Sequence, residues 1–140
     1  METLTYEAKI AIIKILTDII NADNITHPKE IEYLQEIVSS FELNANYTED
    51  VNKLVSLRAL AIIRELTSFQ RNYVAQLMGN MITIDKDINY NEVKLYNVVC
   101  KSCNITKGFQ MADSEEYTYS GPSFELDEFI AEEIRTNQLL

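Results

Sequence analysis

The sequence predicts an all-α fold, a single compact multi-helix bundle of about five core helices followed by a C-terminal helix. Three observations predict it. Apolar residues recur at steps of three and four along most of the chain, which is the repeat of an amphipathic helix. Three Gly and two Pro in 140 residues supply few turns for a sandwich or barrel of short strands. A hydrophobic share of 46% over that length suffices to bury a core without staples.

The first helix is expected from about Thr5 to Ala22, with Ala8, Ile12, Ile15, Ile19 and Ala22 on one stripe. Ile13, Leu16 and Ile20 widen that face and leave Lys14, Asp18 and Asn21 as a narrow polar strip, so other helices should surround this one. Pro28 suits a first helical position and opens a second helix to about Phe41, with Ile31, Leu34, Ile37, Val38 and Phe41 turned inward. Thr48, followed by Glu49 and Asp50, reads as the cap of a third helix running from about Glu49 to Leu66. Through Leu57, Ala59, Leu60, Ala61, Ile62 and Ile63 it is apolar on nearly every side and is expected to be the most central element.

Thr67-Ser68-Phe69-Gln70 has capping-box spacing and starts a fourth helix. Phe69, Tyr73, Val74, Leu77, Met78, Met81 and Ile82 share one face there, with the methionines as core filler. Gly79 inside that helix suggests a close helix crossing. Asn89-Tyr90-Asn91-Glu92 repeats the capping spacing and opens a fifth helix to about Cys103. From Phe109 to Gly121 no period is evident, which predicts a loop or linker. Ser123 then caps a last acidic amphipathic helix carrying Leu126, Phe129, Ile130 and Ile134. The domain reading is therefore a helical domain over 1–104 and an acidic extension over 105–140.

Composition excludes several functions. With 22 acidic and 12 basic residues the formal charge is −10, which repels phosphate backbones and anionic lipid and argues against nucleic acid as a partner. No apolar run approaches the roughly eighteen residues of a membrane span, and the N-terminus lacks the features of a signal peptide, so a cytoplasmic location is expected. Cys100 and Cys103 form a lone C-x-x-C late in a helical pattern, where two buried apolar residues are a simpler reading than a redox pair. A zinc site needs two further ligands that the single His27 cannot supply. No nucleophile with a partner and no phosphate loop is present, so no enzyme is expected. His27, beside Pro28, is expected to face solvent.

The candidate functional residues lie on two connectors between helices. Asp85-Lys86-Asp87-Ile88-Asn89-Tyr90-Asn91-Glu92 has an imperfect echo in Asp23-Asn24-Ile25-Thr26-His27-Pro28-Lys29-Glu30. In each, an Asp at the end of one helix precedes by seven residues a Glu in the first turn of the next. Asp85 stands where the helix dipole is negative, and Asp87 adds a second charge, so something must compensate them. The next helix N-terminus is one candidate and a hard divalent cation such as calcium is the other. Carboxylate and amide oxygens on one tight loop suit such a cation, though the loop is no EF-hand: Tyr90 and Tyr96 stand where that motif has Gly and Glu. The metal-ligand candidates are Asp23, Glu30, Asp85, Asp87 and Glu92. The bland alternative is that the Asp residues fix turns while Glu30 and Glu92 cap helices.

This double connector resembles the tellurite-resistance TerB-like family, whose pattern is roughly Ala-Asp-Gly-x-Ile-x-x-x-Glu. Asp85, Ile88 and Glu92 match it, and Ala22, Asp23 and Glu30 match more loosely, since Ile25 stands one place early. Asn24 and Lys86 replace the family's glycines. The resemblance covers about Thr5 to Asn104. It implies an all-α domain whose acidic connectors lie close together and bind divalent metal in a stress-response or tellurite-resistance-like setting. A related helical domain occurs in a DnaJ-type membrane co-chaperone, so the fold alone fixes no role. The alternative function is a metal-free protein-interaction or scaffold module, using an exposed helix face or the acidic tail.

Overall fold

In the computed structural model, residues 3–23, 27–106, 108–109 and 117–120 are described. They form six helices, α1 (Tyr6–Ile20), α2 (Pro28–Ser40), α3 (Tyr47–Lys53), α4 (Ser56–Arg64), α5 (Ser68–Thr83) and α6 (Tyr90–Ser102), in a mostly helical bundle. Two three-residue strands accompany them, β1 (Asp87–Asn89) and β2 (Thr118–Ser120). The expected C-terminal helix from Ser123 lies outside the described residues.

The centre of the bundle is α1, which packs against all five other helices. Its sequence explains why: Ala8, Ile10, Ala11, Ile12, Ile13, Ile15, Leu16, Ile19 and Ile20 are buried, so apolar residues leave the helix on nearly every side. The Thr5 hydroxyl accepts from the Ala8 N–H and starts the helix. The narrow polar strip is used for docking, since Ser56 at the start of α4 donates to Asp18 at 2.6 Å. Lys9 reaches the last turn of α2 and donates to the Phe41 carbonyl at 3.0 Å.

The expected central helix over 49–66 is corrected. It is two helices, α3 and α4, separated by extended backbone at Leu54 and Val55, and the first cap is Asn46 rather than Thr48. Only Val51 on α3 and Ala59 and Ile63 on α4 are buried, whereas Val55 and Leu57 are exposed. A helix apolar all round needs neighbours all round, and α1 already holds that position.

In α5 the Thr67–Gln70 capping box is present with both of its reciprocal hydrogen bonds. Val74, Leu77, Met78, Met81 and Ile82 are buried as expected, but Phe69 is exposed. No close crossing occurs at Gly79, where an added Cβ meets nothing within 4 Å. Cys100 and Cys103 are buried free thiols, in accord with the packing reading of the C-x-x-C. Among the described residues no helix is long and apolar enough to cross a membrane.

Residues 118–120 correct the loop expected from Phe109 to Gly121. They pair in parallel with the second connector, in the register Asp87 with Thr118, Ile88 with Tyr119 and Asn89 with Ser120. The connection from β1 to β2 passes through α6, as a parallel pair requires. On that return path Phe109 meets Tyr96 edge-on, and the Tyr96 hydroxyl donates to the Gly108 carbonyl at 3.4 Å.

Candidate functional site

The first connector begins where α1 tightens into a 3-10 turn, Asn21–Asp23, and ends at Pro28 in the N1 position of α2. The second begins after Thr83, turns through Ile84, Asp85 and Lys86, runs as β1 and enters α6. The 3-10 turn packs on α6, so the first connector lies against the helix that follows the second.

A direct contact joins them. His27 Nδ1, just before α2, lies 3.3 Å from Asp85 Oδ2, and both side chains are more than four-fifths buried. His27 is therefore not solvent-facing, as its place beside Pro28 suggests; it spans the two connectors. The other Asp85 oxygen accepts the Asp87 N–H at 3.0 Å, which closes the turn. One carboxylate thus ends α5, shapes the loop and meets the first connector.

Lys86 carries a φ of 62°, in the left-handed region that glycine favours. It occupies the position at which the TerB-like pattern has Gly. Asn24, the matching position of the first connector, lies outside the described residues. Past Lys86 the chain extends, and Asn89 caps α6 by accepting the N–H groups of Asn91 at 2.9 Å and Glu92 at 3.3 Å.

Glu30 and Glu92 occupy the same place in their helices, the third residue of α2 and of α6. Their exposures are 0% and 1%, and among the described residues they are the buried side chains of acidic type. Surface glutamates at this position are ordinary, since the helix dipole welcomes them. Full burial is not ordinary. A carboxylate out of water has to be compensated by donors, by the dipole or by a positive charge. The position seven residues after each Asp is thus where the two buried acids among the described residues stand.

Asp87 stands apart from this pair in one respect: its Oδ1 accepts the Thr118 hydroxyl at 2.8 Å, which binds it to β2. Asp23 ends the 3-10 turn. Among the described residues no group of three or more His, Cys, Asp or Glu is disposed to hold a metal ion. The structure therefore brings His27, Asp85 and the connectors together, buries Glu30 and Glu92, and engages Asp87 with the tail.

Sequence reasoning missed His27 and β2. For β2 a signal was present, because Tyr117, Thr118 and Tyr119 are residue types enriched in strands. For His27 there was none, since the contact joins residues 58 positions apart.

No protein-family model matches the chain, and no curated protein matches it. Among solved structures it is similar to a protein of unknown function from Porphyromonas gingivalis W83, with a TM-score of 0.66 and 22% identity. The match covers 78% of this chain and 93% of that one. At this identity the likeness establishes a shared fold.

Proposed function

We propose that the chain is a cytoplasmic, non-enzymatic helical module that takes a hard divalent cation, calcium or similar, where its two connectors meet. The observation that carries the reading is the pair of buried glutamates, Glu30 and Glu92, at matching positions of two connectors joined through His27 and Asp85. Oxygen donors alone suit calcium, magnesium or manganese rather than zinc or copper. Glu30, Glu92 and Asp85 are the first candidate ligands; they form no ready-made cluster among the described residues, so the ion has to draw them together, with Asp23 and Asp87 as the further candidates. The remaining positions of a six- to eight-fold shell fall to backbone carbonyls and water. The left-handed turn at Lys86 supports the reading, because it gives the loop the shape that glycine supplies in the TerB-like pattern. The stress-linked setting follows from that resemblance alone.

The test is a titration of the full chain with calcium and with manganese, read by melting temperature. Micromolar to millimolar ion raises it in the wild type, as binding to the folded state must. Glu30→Gln combined with Glu92→Gln keeps the side-chain shape and removes the rise. A wild type whose melting temperature ignores both ions overturns the proposal.

A metal-free interaction module is the second reading, favoured by the exposure of Val55 (66%), Leu57 (81%) and Phe69 (58%) at the starts of α4 and α5. Its net charge of −10 suits a basic protein surface better than nucleic acid. This reading expects Leu57→Ser with Phe69→Ser to lose a partner that the wild type retains, with no change in fold by circular dichroism.

A further inference from the structure

The second connector carries a small parallel sheet whose two strands are held very differently. β1 is fixed from within, since Ile88 and Asn89 are each 2% exposed and Asn89 caps α6. β2 lies on the outside, paired along all three of its residues. The Thr118 N–H donates to the Lys86 carbonyl at 2.9 Å, and the Thr118 hydroxyl donates to Asp87 Oδ1 at 2.8 Å. The Tyr119 ring stacks on Tyr90 with centroids 5.8 Å apart and planes 16° from parallel. Tyr117 is half-buried against the core. Thr118 is exposed, and Tyr119 keeps 46% of its surface in water.

Three residues of parallel pairing form a weak latch. Isolated two-stranded pairs are marginal in water, and parallel ones are slightly weaker per residue than antiparallel ones. Covalent attachment adds to these contacts, since only seven residues separate Phe109 from Tyr117. A short tether presents its end at an effective concentration on the order of millimolar, enough to fill a weak site.

We propose that the outer edge of β1, with Lys86, Asp87 and Tyr90, is a docking edge for an extended segment of a partner protein, and that residues 117–119 are its tethered occupant. The chemistry of the occupant defines the partner: an aromatic residue that rests on the core, a hydroxyl residue that donates to Asp87, and a second aromatic that stacks on Tyr90. Main-chain pairing supplies affinity and these three side chains supply selection, as in other strand-addition complexes. The inference stands on the strand pair and requires no bound cation.

The experiment uses the full chain and a fluorescein-labelled peptide of residues 116–121, read by anisotropy. Thr118→Pro removes both Thr118 donors and releases the edge, so this variant binds the peptide about tenfold or more tightly than the wild type, whose tether competes. Tyr119→Ala, which keeps the backbone donor, gives an intermediate gain and serves if the proline variant fails to fold. Tyr90→Ala added to Thr118→Pro abolishes the gain. Equal binding by wild type and both variants, or binding by none, overturns the proposal. A wild-type dimer that disappears in Thr118→Pro assigns the edge to a second copy of this chain and overturns the foreign partner.

Discussion

Lys86 holds a left-handed backbone at φ 62°, a conformation in which its Cβ crowds the neighbouring carbonyl. Lys86→Gly relieves that strain, and the expected outcome is a gain of about 1 kcal/mol, seen as a melting temperature a few degrees higher. A lower melting temperature would mean that the lysine side chain contributes more than its backbone strain removes. The two thiols make a prediction about pH. Burial pushes Cys100 up to about 12 and Cys103 to about 11, against 9.0 for a free thiol. Above pH 9 the unfolded chain loses these protons while the folded chain keeps them. Stability from the buried thiols is therefore full below that pH and is lost as pH rises from 9 toward 11 and 12. The decline reaches about 1.4 kcal/mol per pH unit for each thiol, and Cys100→Ala with Cys103→Ala removes that part of it in urea melts. Alkylation of either thiol by iodoacetamide at pH 8 is expected only on unfolding, because the reactive thiolate is suppressed.

At the scale of the element, α5 shows how local chemistry and packing divide the work. Its start is settled by Thr67 and Gln70 alone, through two reciprocal hydrogen bonds of 3.1 Å. Thr67→Ala is expected to cost about 1 kcal/mol and to speed amide exchange at residues 68–70. Gly79 sits in open space, so Gly79→Ala gains about 1 kcal/mol of helix propensity with no clash, measured as a higher urea midpoint. The close crossing that a helical glycine suggests is absent, because propensity reports a cost and not the reason for it. The same limit explains α3 and α4. Their apolar residues predict helix correctly, but which apolar face is buried depends on neighbours, and Val55 and Leu57 were left in water. β2 is a third case: strand-forming residues were present at 117–119, yet a strand exists only when a partner strand is in reach.

For the molecule as a whole, α1 is the element on which the other helices depend. Leu16 is fully buried in it, and Leu16→Ala is expected to cost about 2–5 kcal/mol, the largest loss among the changes discussed. Denaturant titration followed by circular dichroism checks it. Much of this architecture was legible: the helical class, the buried sides of α1 and α5, the caps at Thr67 and Asn89, and the repeated Asp-to-Glu connector. Periodicity and capping act over three to seven residues, so a sequence displays them directly. The sequence by itself determined where α1, α2, α5 and α6 start, and it placed a glutamate at the same turn of α2 and α6. Only the tertiary structure decided that these two glutamates are buried, that His27 reaches Asp85, and that residues 118–120 return to cover β1. The physical reason is range. Each of these depends on contacts between residues far apart in sequence, formed once α1 gathers the helices around it, and local residue pattern carries no record of which residues such contacts join.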